Sequence, residues 1–253
     1  GGTPTTLAPD QLKALLDRLH TAFGLAPGTE LTVEAGRPDT ITREKLEAIR
    51  DGGGNRISVN PQTMSDLVLE TIGRSHRAED IRQAYALARE VGVGAINMDL
   101  IAGLPADTPE GFAATLDEVI GMDPENITVH TLALKKGARL RQENVTLPSG
   151  EDVAHMLDFA WSALRAAGYQ PYYLYRQKFM SGSFENVGWC KPGWANEYNI
   201  CMMEELHTVL SLGAGGVTKA IGGRTVRRLA NPKYPQEYLQ NAAAIQAEKS
   251  SWT

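Results

Sequence analysis

The amino-acid sequence predicts an α/β fold in which parallel strands alternate with helices, as an α/β barrel or an open α/β sheet. Helical and β-like segments alternate from Pro9 to Tyr175. Successive strands recur at intervals of roughly 25 to 40 residues, long enough for each connection to return across the sheet as a right-handed crossover. With 253 residues, 42% of them hydrophobic, the chain can bury one substantial core.

Leucines at helical spacing in DQLKALLDRLHTAFG predict a helix from Pro9 to about Gly24, and Leu31 to Ala35 reads as a strand. Thr42 is suited to cap a helix over TREKLEAIRDGG, with Glu44 in the first turn, where the helix dipole favours negative charge. A strand follows in RISVN, then helices from Thr63 to Ile72 and Glu79 to Val91, and a strand in AINMDLI. Pro109 to Ile120 reads as a helix, Ile127 to Leu132 as a strand, Glu151 to Ala167 as a helix capped near Ser149, and Tyr172 to Tyr175 as a strand. Beyond Lys178 the alternation loosens into a Gly-, Trp- and Tyr-rich stretch, the strand-like HTVLSLGAGGVTKAI and a last helix from Pro235 to Glu248. The expected organisation is a main domain over residues 1–178 and a smaller accessory region over 179–253.

A net charge of -5 provides no basic field, which points to small molecules rather than nucleic acid as partners. No apolar run approaches the roughly 18 residues of a membrane span. The two cysteines, Cys190 and Cys201, form no CxxC or CxxxC pair, which argues against a disulfide framework and against a metal site complete within this chain, and fits a reducing cytoplasm. The abrupt opening on Gly1-Gly2-Thr3-Pro4, without an initiator methionine or a leader, leads us to expect a piece of a longer protein.

In α/β architectures the chemistry gathers at the carboxyl ends of the strands, which directs attention to Glu34, Asn60 to Gln62, Asp99, His130 and Arg176. Asp99 interrupts the apolar run AINMDLIAGLP; a charge there is paired or used, because burying it bare costs several kcal/mol. Glu34 is either an exposed edge charge or a carboxylate suited to an amine or a ribose hydroxyl. Gln62 and Arg74 read as a cap and a solvated arginine or as ligand groups, and His130 as a satisfied strand-end histidine or a ligand. Gly1-Gly2-Thr3 is a loop or a place where backbone approaches a ligand closely. The run Leu212-Gly-Ala-Gly-Gly216 lacks the lysine and helix start of a phosphate loop and reads as a tight turn. Tyr172, Tyr173, Tyr175, Arg176 and Lys178, followed by Phe184, Trp189, Lys191 and Trp194, are either an aromatic core patch or a wall suited to a flat organic anion.

Taken in order, GGTPTTL, LTVEAGRPDTIT, RISVNPQTM, the arginine of IGRSHR and INMDLIAGLPADT resemble the successive strand-end motifs of the oxygen-independent coproporphyrinogen III oxidase family of radical S-adenosylmethionine (SAM) enzymes. YYLYRQKFMSGSFENVGW, MEELHTVLSLGAGGVTK and the NPK before the last helix are similar to its coproporphyrinogen dehydrogenase branch rather than to the related haem chaperones. The resemblance implies a partial radical SAM (β/α)6 TIM-like barrel, here lacking its first strand, with a small carboxy-terminal accessory region. It implies two cofactors, SAM and a 4Fe-4S cluster, and a reaction of haem biosynthesis: oxidative decarboxylation of two propionates of coproporphyrinogen III to the vinyl groups of protoporphyrinogen IX by a SAM-derived radical. By resemblance Gly1, Gly2 and Thr3 hold the methionine end of SAM, and Glu34, Gln62, Arg74 and Asp99 bind its amino, ribose and carboxylate groups. Tyr175 and Arg176 are expected to meet the tetrapyrrole substrate, and an electron donor such as a flavodoxin or ferredoxin is expected as partner. No catalytic residue is assigned. The family's CxxxCxxC motif is absent, so the cluster cysteines are expected upstream of Gly1 and the chain alone is expected to be inactive. SVNPQ also departs from the glycine-valine pair that precedes the glutamine in many relatives. A haem chaperone or a radical SAM methyltransferase would share the cradle, and a non-catalytic porphyrin-binding barrel would share the fold. A metal-dependent hydrolase built on Glu34, Asp99 and His130 would lack the clustered histidines usual in such sites.

Overall fold

The computed structural model describes residues 2–133, 146–176, 184–222 and 225–252. The chain forms two compact units, one from Thr3 to Ala195 and one that begins at Asn196 and includes Gly2.

In the first unit, α1 (Pro9–Phe23) begins with proline at its first position and stops at Gly24, whose φ of 58° ends the helix in the left-handed region. It leads into β1 (Thr32–Gly36), α2 (Arg43–Asp51), β2 (Arg56–Val59), α3 (Asp66–Thr71) and α4 (Ala78–Val91). Next come β3 (Ala95–Ala102), α5 (Pro109–Met122), β4 (Asn126–Thr131) and α6 (Gly150–Ala166), and then β5 (Gln170–Tyr175) and β6 (Asn186–Cys190). The expected caps form: Thr42 Oγ1 accepts from the Lys45 amide at 3.4 Å, and Ser149 and Asp152 build a reciprocal capping box on α6.

The six strands lie in the order β1-β2-β3-β4-β6-β5. Strands β1 to β4 are parallel, as their crossover helices require. Strand β6 is antiparallel to both β4 and β5, so β5 runs in the direction of β4 one place further out. The reason is chain length: residues 176–185 are too few for a crossover helix and return the chain as an antiparallel neighbour. β6 lies past residue 178, in the stretch where the alternation fades. Among the described residues the sheet is open, with β1 and β5 at its edges.

The core lies between the sheet and its helices. Ile96, Met98, Leu100 and Ala102 alternate along β3 and are wholly buried in one cluster with Leu46 and Ile49 of α2, Ile81 and Ala88 of α4 and Leu116 and Val119 of α5. Burial of each large aliphatic side chain contributes about 1.5–3 kcal/mol. The intervening Asn97, Asp99 and Ile101 stay partly accessible, because a strand sends successive side chains to opposite faces. At the amino end of the strands, buried Arg56 donates to Asn126 Oδ1 and to the carbonyls of Trp194 and Ala195, with Glu30 3.6 Å away.

The second unit holds α7 (Glu197–Met203), a hairpin of β7 (Val217–Gly222) and β8 (Thr225–Ala230), α8 (Pro235–Gln240) and α9 (Ala242–Ser250). The single helix expected after Pro235 is two, divided at Asn241, whose side-chain amide donates back to the Glu237 carbonyl at 2.9 Å. The Leu212 to Gly216 run is a closed turn, its Gly213 and Gly216 carbonyls both taken by Asn231.

Candidate functional site

The partly accessible face of the sheet carries a continuous line of polar groups. On β1, solvent reaches Glu34 although protein surrounds its carboxyl on most sides, as happens for a group lining a cleft. That burial pushes the carboxyl above its usual range, Asp99 pushes it further, and a hydrogen bond with Ser58 of β2 pulls the other way. The turn Pro4–Thr6, which follows Thr3, is fastened beside this strand: Thr5 Oγ1 donates to the Ala35 carbonyl at 3.0 Å, and Lys45 Nζ to the Thr5 carbonyl at 2.6 Å. Gly2 groups with the second unit, and Gly1 lies outside the described residues.

Beyond β2 the Asn60-Pro61 pair breaks the ladder, since proline has no amide hydrogen to give. Gln62 then takes φ of 66°, a left-handed conformation that costs a residue with a Cβ roughly 1–2 kcal/mol. It is pinned there by two bonds to β3, from its amide to the Asp99 carbonyl at 2.9 Å and from the Ile101 amide to its carbonyl at 3.0 Å. Asn60, whose amide reaches the Gly36 carbonyl, keeps a buried Oδ1 with no partner among the described residues. Leaving such an acceptor unmet costs about 1–3 kcal/mol, so it is a candidate for a ligand donor.

Arg74 is exposed on the loop after α3, and its guanidinium makes no hydrogen bond or ion pair among the described residues. Two residues on, His76 is buried and hydrogen-bonds the Pro61 carbonyl, tying the arginine loop to the residue before Gln62. Burial and the Arg74 charge hold the His76 imidazole below its usual range. Asp66, Glu70, Arg74, His76 and Arg77 line a cavity of about 420 Å³ here.

From β3 outward, two polar chains start on the same carboxylate. In the first, Asn97 Nδ2 donates to Asp99 Oδ1 at 2.8 Å, Thr128 Oγ1 donates to Asn97 Oδ1 at 3.2 Å, and the Tyr173 hydroxyl lies 3.4 Å from Thr128 Oγ1. In the second, His130 Nε2 is 3.7 Å from Asp99 Oδ2, and His130 Nδ1 is 3.3 Å from the Tyr175 hydroxyl. Both end on a stacked tyrosine pair, Tyr173 and Tyr175, with centroids 6.2 Å apart and planes inclined by 10°. Burial raises the Tyr173 phenol above its ordinary value and keeps it protonated. Tyr173 reaches Thr128 across β6 only because Gly188, the register partner of both, has no side chain: a Cβ there would lie 1.8 Å from the ring.

The aromatic stretch at the end of the first unit does not form one wall. Tyr175 meets His130, whereas Arg176 is exposed and ion-paired to Glu185 at 2.6 Å, and Lys178 lies outside the described residues. Trp189 is buried edge-on against Trp161, Lys191 pairs with Asp123 at 2.6 Å, and Trp194 gives its carbonyl to Arg56 at the opposite end of the strands. Ser58, Asn97, Thr128 and Gly188 were not singled out in the sequence. The signal was present for three of them, as polar residues spaced by two within apolar strands, shared with Asp99 and His130.

A sequence model described as "Radical SAM superfamily" matches residues 1–119. The oxygen-independent coproporphyrinogen-III oxidase-like protein HemZ of Bacillus subtilis (strain 168) is 40% identical over 254 residues, covering 98% of this chain and 51% of that protein. The heme chaperone HemW of the same organism is 30% identical over 233 residues, covering 89% of this chain and 57% of its own length. Among solved structures, coproporphyrinogen III oxidase (HemN) from Escherichia coli, described as a radical SAM enzyme, superimposes with a TM-score of 0.75 at 26% identity, over 96% of this chain and 56% of that one. The chain spans about half the length of the curated relatives it matches. Residues 1–119 therefore form a radical SAM domain, whose cofactors are SAM and a 4Fe-4S cluster, and over most of its length the chain is similar to the oxygen-independent coproporphyrinogen III oxidases and their relatives.

Proposed function

We propose that the protein carries out oxygen-independent oxidative decarboxylation of coproporphyrinogen III to protoporphyrinogen IX, with Thr3, Glu34, Gln62, Arg74 and Asp99 as its SAM cradle. The observation that carries this reading is the pair of mutually interacting carboxylates, Glu34 and Asp99, on one face of the sheet, with the loop of the exposed Arg74 tied through His76 to Pro61, the residue before Gln62. SAM is a sulfonium cation bearing an ammonium and a carboxylate. Glu34 and Asp99 suit its positive groups and ribose hydroxyls, Arg74 its carboxylate, and the orphaned Asn60 Oδ1 and the Gln62 amide its remaining donors and acceptors. Residues and ligand fit.

The cluster does not fit the residues of this chain. The sequence has only Cys190, in β6, and Cys201, in α7, and among the described residues no group of three His, Cys, Asp or Glu could hold a metal. When bound, the two cofactors supply the radical chemistry, and the protein supplies orientation and exclusion of water. The stacked Tyr173 and Tyr175 rings suit the face of a macrocycle, with His130 and the Tyr175 hydroxyl at its edge and Arg176 further out toward its carboxylates. A one-electron donor such as a flavodoxin or ferredoxin completes the set of partners, and a cytoplasmic setting suits them; no helix among the described residues is long and apolar enough to cross a membrane.

The test is anaerobic assay of the full-length protein with SAM, reductant and coproporphyrinogen III. Formation of vinyl product with SAM consumption is the expected result. The 30% identity to a heme chaperone over 89% of this chain favours one other reading, haem carriage. Stoichiometric haem binding and transfer to an acceptor protein, with no vinyl product, would replace the decarboxylase reading with that one.

A further inference from the structure

We propose that His130 is a positioning residue for Asp99, with Tyr175 fixing which edge of the imidazole Asp99 meets. The inference rests on the reading of Asp99 as a SAM ligand and adds a residue and a device to it.

Asp99 sits within an otherwise apolar strand, and its carboxylate is bracketed on both oxygens. Asn97 donates to Oδ1 at 2.8 Å and is itself held by Thr128, while His130 Nε2 stands 3.7 Å from Oδ2. The sheet register explains the approach. Asp99 is opposite Thr128 and Ile101 opposite His130, so His130 lies one side-chain step beyond Asp99 on the same face and reaches back diagonally. Its far nitrogen, Nδ1, is 3.3 Å from the Tyr175 hydroxyl. A phenol that donates to Nδ1 places the ring proton on Nε2, so His130 presents an N–H toward Asp99. A carboxylate hydrogen-bonded through one oxygen by Asn97 and faced across 3.7 Å on the other by the His130 N–H keeps its plane for a ribose diol or an ammonium and loses less rotational freedom when the ligand arrives. The bland alternative is packing, because the His130 ring also stands edge-on to Tyr175 with centroids 6.3 Å apart.

Equilibrium dialysis of labelled SAM against the full-length protein and its variants separates these accounts without a turnover assay. Asp99→Asn is expected to weaken SAM binding at least about tenfold, the scale of a lost charge-assisted hydrogen bond. His130→Gln keeps an N–H where Nε2 stood and is expected to bind within about threefold of wild type. His130→Phe keeps the ring but no N–H and is expected to lose about tenfold. Tyr175→Phe is expected to weaken binding in the wild-type background and to have no effect alongside His130→Gln, since an amide has no tautomer to fix. Thermal unfolding of each variant reports folding; if His130→Phe does not fold, His130→Asn replaces it, its shorter amide reaching toward Tyr175 but not Asp99, with the same tenfold loss expected. SAM affinity unchanged in His130→Phe, or His130→Gln as weak as His130→Phe, overturns the proposal while Asp99→Asn still binds poorly. Wild-type affinity in Asp99→Asn overturns the SAM assignment of Asp99 itself, and this proposal with it.

Discussion

Replacing Gly188 with alanine adds one methyl group at the point where three strands and a ring meet. The new Cβ would lie 1.8, 2.4 and 2.6 Å from Cε1, Cδ1 and Cζ of Tyr173. Carbon atoms rest at about 3.5–4.0 Å, so the ring must retreat by roughly 2 Å. It cannot do so without loss, because it is stacked on Tyr175, packed edge-on against Tyr172 at 4.7 Å, and has its hydroxyl beside Thr128. Overpacking costs about 1–3 kcal/mol, and giving up the stacking adds about 0.5–1.5 kcal/mol. Gly188→Ala is therefore expected to destabilise the protein by about 2–4 kcal/mol in urea unfolding followed by far-ultraviolet circular dichroism. The decisive comparison is the same substitution in a Tyr173→Ala background. With the ring gone, alanine is better than glycine in a strand interior by roughly 0.5–1 kcal/mol, so the sign of the effect reverses. Equal destabilisation in both backgrounds, or a cost under about 0.5 kcal/mol in the wild type, would show that Tyr173 does not lie over Gly188.

Three other perturbations follow from single residues. Asp107 is buried, with Oδ1 accepting from the Thr108 amide at 2.9 Å and Oδ2 unpartnered among the described residues, and burial pushes its carboxyl from 3.8 to about 6. The folded state therefore holds this proton more tightly than the unfolded one, so stability falls as pH rises from about 4 through about 6. At most about 3 kcal/mol is at stake, and Asp107→Asn is expected to flatten that slope in denaturant unfolding run between about pH 4 and 7. Arg56→Met leaves Glu30, Asn126 Oδ1 and the Trp194 and Ala195 carbonyls short of a buried cationic donor; a loss of about 3–5 kcal/mol is expected, and an unfolding midpoint unchanged from wild type would contradict it. Gln62→Gly relieves the left-handed strain, so stability is expected to stay level or rise by up to about 1 kcal/mol while SAM affinity in dialysis drops about tenfold; parallel loss of both would make Gln62 structural.

Most of the elements were legible in the sequence because their signals are local. Apolar spacing marked the helices, Thr42 and Ser149 marked their starts, and long intervals between strands called for the parallel crossovers of β1 to β4. Asp99 stood out as a charge inside an apolar run and Glu34 as a carboxylate at a strand end, and the ordered strand-end motifs resembled those of a family. Tertiary structure decided what depended on distant partners. Strand β6 slots between β4 and β5 because the short return after Tyr175 closes antiparallel, and no local pattern around Asn186 states which strands will flank it. The same pairing divides the aromatic stretch, sending Trp189 into the core and turning Tyr173 and Tyr175 toward the cleft, since adjacent strand positions face opposite ways only once the register is known. Gly188 acquires its meaning from Thr128 and Tyr173, and His130 from Asp99 and Tyr175, residues brought within a few ångströms by the sheet and separated by 15 to 60 positions along the chain. A chain carries the preference of each segment in its own residues, whereas the partnership between segments is set by the register in which they pair.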